Sequence, residues 1–168
     1  MKRAMRTPPF ILTLTILALT IGAKGQIIST IAGDGTEAFS GDFGPAVQSQ
    51  LASPYDIAIS SEGIIYIADR NNSRIRKINS EGIISTIAGD GTTGFSGDGG
   101  LAINAKLGRP TSITTDSVGN IFFMDYDNAR VRKIDRQGII TTIAGNGTNG
   151  YSGDGGMATQ ASFGIGFG

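Results

Sequence analysis

The sequence contains neither cysteine nor histidine, and these two absences exclude much chemistry. Without cysteine no disulfide can brace the fold, so its stability must come from packing. Without histidine, a histidine-ligated zinc or iron site and a histidine general base are excluded within these residues. No Ser-His-Asp or Cys-His catalytic set can be drawn either, and we assign no catalytic residue.

An excess of positive charge is also absent, since the chain has 14 basic and 14 acidic residues. Four of the basic residues lie among residues 1–25, where they flank an apolar run, 10–21, that is too short for a membrane span. Small residues follow that run, so residues 1–25 are predicted to be a secretory signal peptide cleaved before Gln26. The alternative is an uncleaved N-terminal anchor.

Cleavage would leave a net charge of −4 on residues 26–168. Nucleic-acid binding requires clustered basic residues that neutralise phosphates, so no nucleic-acid partner is expected. We expect a secreted, periplasmic or cell-surface protein that is not stably inserted in a membrane after cleavage.

What the chain does contain is an internal repeat of 56 residues. The segment IISTIAG at 27–33 recurs at 83–89 and, with one change, at 139–145. Residues 27–82 align with 83–138 without a gap, and 29 of the 56 positions are identical. The repeats are therefore 27–82, 83–138 and a partial copy at 139–168, and the units must share one backbone.

Each unit is predicted to be all-β, with four short antiparallel strands separated by Gly-containing turns. In the first unit the predicted strands cover residues 55–60, 64–69, 74–79 and 83–88. Their apolar residues lie on both faces, so each sheet must be covered on both sides. Radially stacked four-stranded sheets, the blades of a β-propeller, meet this requirement and protect the strand edges. A β-helix is the alternative, although its coils are shorter.

The third strand of each unit carries a recognisable motif, DRNNSRIRKI at 69–78 and DYDNARVRKI at 125–134. Together with Pro54, Pro110 and the preceding Gly turns, it resembles the NHL repeat, a β-propeller blade module. The Gly-rich GDGTTGFSGDGG at 89–100 is similar to connections in exported bacterial NHL proteins. Ser73 and Ala129 stand where this family commonly has histidine, which removes a possible metal ligand.

The resemblance implies several activities. NHL-like propellers include lyases, related six-bladed propellers include lactonases with metal sites in the central channel, and some intracellular members bind nucleic acid. Whether this chain is an enzyme is left open, with a non-enzymatic role favoured because no histidine is present. A hydrolase-like, lactonase-like or lyase-like segment with a carboxylate-bound calcium is the alternative.

Two pairs in the motif are interpreted as structural, Asp69 with Arg74 and Asp125 with Arg130. Each Asp is expected to accept backbone N–H groups of the turn and to face the guanidinium. The pairs recur in both units, whereas a catalytic site is usually single, so a role in building the blade is favoured.

The Gly-rich connections recur three times and supply the remaining candidates. Their aromatic residues, Phe39, Phe95 and Tyr151, are expected to anchor each connection on a blade. Carboxylates in a Gly-rich loop can bind calcium, but turn formation explains each of them equally. The calcium candidates are Asp34, Asp42, Asp90, Asp98 and Asp154. No other cofactor is expected.

Loops on a rigid support are where recognition concentrates, so we expect a binding or scaffold module for a protein, peptide or glycan. The residues expected to face a partner differ between the units, namely Glu37, Ala38, Thr93 and Gly94.

The phase of the repeat predicts one N-terminal strand, at 27–32, followed by two complete blades. Closed propellers have about 4 to 8 blades. The expected source of the missing blades is a longer chain of which this is a portion, and a homotrimer with six blades is the alternative.

Overall fold

The computed structural model describes residues 27–164 and contains two four-stranded antiparallel sheets. The predicted signal peptide, residues 1–25, lies outside the described residues. The first sheet consists of β1 (Pro54–Ile59), β2 (Ile65–Asp69), β3 (Arg74–Ile78) and β4 (Ile84–Ala88). The second consists of β5 (Pro110–Thr115), β6 (Ile121–Asp125), β7 (Arg130–Ile134) and β8 (Ile140–Ala144). The all-β class and the blade topology are confirmed.

Helical structure in the described residues is limited to short 3-10 turns. They are Ala46–Gln48, Arg70–Asn72, Ala102–Asn104, Tyr126–Asn128 and Ala158–Gln160. Within residues 27–164 there is accordingly no helix long and apolar enough to cross a membrane.

The two sheets repeat each other in register as well as in order. In the first, Ile67 pairs with Arg76 and Asp69 with Arg74, and the second shows the same pairings 56 residues later. Each sheet has a bulge in its first strand and another between its third and fourth strands. Bulges increase strand twist, so the shared positions give both sheets the same twisted shape.

The core lies between the sheets, where residues of β2 and β3 pack against residues of β5 and β6. It includes Ala68 and Ile75 from the first sheet and Ile113, Ile121 and Phe123 from the second. Apolar residues also cover the opposite face of the first sheet, including Ile67, Ile78 and Ile84. Apolar side chains on both faces therefore reflect stacking of blades, as the sequence predicts.

The first strand of each sheet shows what stacking contributes. Ile113 of β5 is only 5% exposed because the first sheet covers it, whereas its counterpart Ile57 in β1 is 51% exposed. No described residue covers β1 in the same way. The face of β1 is thus the surface that a preceding blade would bury.

The predicted N-terminal strand at 27–32 is the exception to the expected fold, since the structure has no strand there. Ile28 is 98% exposed. The same six residues form a strand at 83–88 only because β3 lies beside them. A strand needs a hydrogen-bonding neighbour, and the described residues offer none to 27–32.

The Gly-rich connections protect the outer edge of each sheet. The N–H of Phe43 donates to the carbonyl of Ile84 in β4 at 2.7 Å, and the N–H of Ile84 donates to Gly44 at 3.0 Å. Gly99 and Gly100 bond β8 in the same way. Each connection therefore satisfies backbone groups that an edge strand would otherwise expose.

Candidate functional site

The blades have two ends, because successive strands run in opposite directions. The turns within each blade at 60–64, 79–83, 116–120 and 135–139 form what we call the turn end. The β2–β3 and β6–β7 turns and the Gly-rich connections form the loop end, at 33–53, 70–73, 89–109 and 126–129. Hydrogen bonds join these parts, since the Asn72 amide donates to the Ala38 carbonyl at 2.8 Å and Asn128 donates to Gly94 at 2.7 Å.

At the turn end, residues that differ between the blades do the same work. The Asp116 carboxylate accepts the N–H groups of Val118 at 3.0 Å and Asn120 at 2.8 Å. Ser60, its counterpart, accepts two N–H groups of its own turn through its hydroxyl. The Asn120 side-chain hydrogen bond lowers the pKa of Asp116 below its usual value. Sequence differences at this end therefore preserve the turns.

At the loop end, a buried ion-pair network joins each sheet to its connection. Asp69 accepts hydrogen bonds from the Ala52 N–H at 2.8 Å, the Asn72 side chain at 2.8 Å and Arg76 at 3.2 Å. Arg76 also pairs with Asp42 at 2.8 Å. The side chains of Asp69 and Arg76 are both fully buried. Because Asp42 belongs to the connection and Arg76 to β3, the network fixes the connection on the blade.

The second blade repeats this network 56 residues later. Arg132 pairs with Asp125 at 2.9 Å and with Asp98 at 2.9 Å. Burial raises the pKa of the Asp69 and Asp125 carboxyls, and hydrogen bonds from neighbouring side chains and backbone oppose that shift. The recurrence in both blades supports a structural role for these carboxylates.

The ion pairs that we expected from the sequence, Asp69 with Arg74 and Asp125 with Arg130, are wrong. Arg74 instead donates to the carbonyls of Asn72 and Asp90, at 3.0 Å each. Arg130 makes the corresponding two bonds in the second blade. The Gly-rich connection passes beside these arginines and supplies their acceptors. The expected turn N–H donors to Asp69 are likewise replaced by the Asn72 side chain and the Ala52 N–H.

The aromatic residues of the first two connections lie against arginine side chains. The Arg74 guanidinium is 3.7 Å from the centroid of the Phe39 ring, and Arg130 is 3.9 Å from that of Phe95. The expected anchoring holds for these two rings. Tyr151 is 84% exposed and stacks on no arginine within residues 27–164. In both anchored cases the arginine belongs to the blade that follows the connection.

This difference gives a prediction. Replacing Phe95 with leucine is expected to lower the free energy of unfolding by about 1 kcal/mol, because a cation–π contact is lost. Replacing Tyr151 with leucine is expected to change it by less than about 0.5 kcal/mol, as for an exposed side chain. Urea denaturation followed by far-UV circular dichroism measures both. Equal losses in the two variants would contradict the anchoring role.

The calcium candidates do not converge, and residues 27–164 contain no cluster of three or more carboxylates that could hold a metal. Asp34 and Asp90 accept the N–H groups of the residues two positions later, at 2.7 and 2.6 Å. Asp42 and Asp98 pair with the buried arginines, and Asp154 accepts a hydrogen bond from the Tyr151 hydroxyl. These contacts occupy each carboxylate within its own loop or network.

The four residues expected to face a partner all lie at the loop end. Glu37 accepts hydrogen bonds from Ser53 at 2.9 Å and Asn71 at 3.2 Å, and Thr93 shares one with Ser73 at 3.1 Å. Both are exposed. The other two, Ala38 and Gly94, are half-buried and use their carbonyls to hold the turn asparagines.

Sequence reasoning missed a cluster at the boundary of the two blades, formed by Tyr55, Arg70, Tyr126, Arg109 and Asp127. The Arg70 guanidinium lies 5.8 Å from the Tyr55 ring centroid and 5.9 Å from that of Tyr126. Arg109 pairs with Asp127 and lies over Tyr126 at 5.9 Å. The available signal was the repeat itself, because Arg70 aligns with Tyr126.

The fold and the blade motif define a segment of an NHL-type β-propeller. The Teneurin NHL domain model matches residues 33–95 and 92–165, and the chain belongs to this family. Teneurin-1 of Mus musculus is 35% identical over 104 residues, which is 54% of this chain and 4% of that protein. Teneurin-4 of Homo sapiens is 34% identical over 102 residues, 53% of this chain and again 4% of the relative. The chain thus spans a small part of the length of these relatives.

Solved structures agree with the fold. A Bacteroides thetaiotaomicron protein of unknown function matches with a TM-score of 0.60 and 26% identity, over 71% of this chain and 31% of its own. An auxiliary nutrient binding protein from the same organism matches with a TM-score of 0.54 and 22% identity, over 71% of this chain and 32% of its own. The second likeness is one of fold alone.

Proposed function

We propose that the chain is a binding module of an exported NHL propeller, and that its loop end contacts a protein, peptide or glycan partner. The observation that carries this proposal is the contrast between the two ends. Turn-end differences preserve the hydrogen bonds of the turns, as Ser60 and Asp116 do. Loop-end differences place unlike groups on the same backbone, as Arg70 and Tyr126 do. Chemistry that the fold does not require is what a binding surface needs.

The rigidity of the loop end supports the same proposal. The buried Asp69–Arg76 and Asp125–Arg132 pairs hold both connections in place. A surface that is already ordered loses little conformational entropy when a partner binds. Export follows in this proposal from the charged and apolar pattern of residues 1–25. Further blades would come from the same longer polypeptide, with a closed trimer as the alternative, and the mass in solution distinguishes the two.

A pair of matched variants tests the module. The full chain is screened on peptide and glycan arrays, and the ligands retained are measured again with a loop-end variant, Asn71→Ser with Tyr126→Ser. A turn-end variant, Val118→Ser with Arg136→Ser, serves as the control. We expect the loop-end changes to weaken binding by about tenfold or more, a loss of about 1.4 kcal/mol, and the turn-end changes to have little effect.

Thermal melting by circular dichroism establishes that both variants remain folded. The proposal fails if the turn-end variant loses binding as strongly as the loop-end variant, or if no array ligand depends on the loop end.

A further inference from the structure

Arg70 differs from the other arginines at the loop end in having no acceptor. Its side chain is half-buried, its Nε is shielded from solvent without a hydrogen-bond partner, and it forms no ion pair within residues 27–164. Cation–π contacts with Tyr55 and Tyr126 hold it instead. Five other loop-end arginines have acceptors, namely Arg74, Arg76, Arg109, Arg130 and Arg132.

The shielded Nε alone does not set Arg70 apart, because Arg76 and Arg132 also leave Nε unpaired. Their terminal nitrogens, however, each reach a carboxylate. In Arg70 the whole guanidinium lacks an acceptor. A guanidinium presents a planar set of N–H donors that matches the two oxygens of a carboxylate.

Nearby acidic side chains do not fill this role. Glu37 is bonded to Ser53 and Asn71, and Asp127 is bonded to Arg109. Both belong to the same loop end as Arg70, yet neither forms an ion pair with it. The donors of Arg70 therefore stay available to a carboxylate from another molecule.

We propose that Arg70, held between Tyr55 and Tyr126, binds a carboxylate of an acidic peptide at the boundary of the two blades. The inference rests on the proposed binding function and names its ligand chemistry. Guanidinium groups lie over both tyrosine rings, Arg70 over each and Arg109 over Tyr126. Sugar rings stack on open aromatic faces, so the arrangement favours a peptide over an acidic glycan.

The site occurs once in the two described blades, since the second blade has Tyr126 where the first has Arg70. General electrostatic attraction would not create such binding. Residues 26–168 carry 10 basic and 14 acidic side chains, so the chain as a whole repels an acidic peptide. Binding would depend on one guanidinium rather than on the net charge.

The test uses the full chain and a fluorescein-labelled hexaglutamate peptide, with binding measured by anisotropy at low salt. Arg70→Gln is expected to weaken binding by about tenfold or more, because charge-assisted contacts are lost. Arg136→Gln is the matched control. It removes one positive charge at the turn end, where Arg136 forms no ion pair within residues 27–164, and should change binding less than about twofold.

Arg70→Lys keeps the charge but not the planar donors, and an intermediate loss of about threefold is expected. It also covers the case in which Arg70→Gln fails to fold, which circular dichroism detects. A hexaglutamine peptide should not bind. Equal weakening by Arg70→Gln and Arg136→Gln, or unchanged binding in both Arg70 variants, would overturn the proposal.

An oligogalacturonate measured in parallel separates the two sources of a carboxylate. If it binds through Arg70 more tightly than hexaglutamate does, the peptide assignment is overturned. If hexaglutamate does not bind while a neutral array ligand depends on the loop end, the inference fails and the proposed function stands. If nothing depends on the loop end, both fail.

Discussion

Replacing Asp69 with asparagine is expected to lower the free energy of unfolding by about 3 to 5 kcal/mol, because the substitution leaves Arg76 as a buried charge with one partner fewer. Replacing Arg76 with methionine should cost a similar amount, since it leaves Asp69 unpaired. Arg74→Met is expected to cost only about 1 kcal/mol, because Arg74 bonds two carbonyls at a partly exposed site. Urea denaturation followed by far-UV circular dichroism measures all three.

Double-mutant cycles make the assignment of partners decisive. Asp69 and Arg76 should show a coupling energy of about 1 to 3 kcal/mol, whereas Asp69 and Arg74 should be additive within about 0.5 kcal/mol. The opposite pattern would restore the pairing that the sequence suggested and contradict the structure. Asp125, Arg132 and Arg130 allow the same cycles in the second blade.

The exchange of Arg74 for Arg76 shows where sequence reasoning stopped. Asp69 lies directly opposite Arg74 in the register, and Arg76 is two residues further along the same strand face. Diagonal neighbours in a sheet are within reach of a long side chain, so the motif alone permits both pairings. Asp42 and the carbonyl of Asp90 decide between them, and both come from connections whose packing the sequence does not reveal.

The strands themselves were predictable because their signals are local. The predicted bounds of β1 to β4 agree with the structure to within one residue, since apolar runs and Gly-containing turns mark each end. The N-terminal segment fails for the same physical reason. Residues 27–32 have the sequence of β4, but identical residues form a strand only beside a pairing neighbour.

The candidate site was only partly accessible from the repeat. Comparing the units identified Glu37 and Thr93, which do lie at the loop end. The same comparison contains the exchange of Arg70 for Tyr126, but a difference of residue type carries no distance. Only the stacked blades place these two side chains, which are 56 positions apart in the alignment of the units, beside each other.

Replacing Gly89 with alanine is the second change expected to have a large effect. Gly89 has a φ of +91°, and a Cβ there would meet the Ser73 carbonyl oxygen well inside contact distance and the Arg74 Cα at 3.1 Å. Positive φ costs an alanine about 1 to 2 kcal/mol, and overpacking adds about 1 to 3 kcal/mol. We expect a loss of about 3 to 5 kcal/mol in the free energy of unfolding, measured by urea denaturation.

Gly63→Ala separates the two causes. Gly63 has a φ of +77°, and a Cβ there would have nothing within 4 Å, so only the backbone cost of about 1 to 2 kcal/mol applies. A larger loss at Gly89 would mean that the connection approaches the β2–β3 turn too closely for any side chain. Equal losses would mean that the connection can move away from Ser73, and the rigid loop end on which the binding proposal depends would then be wrong.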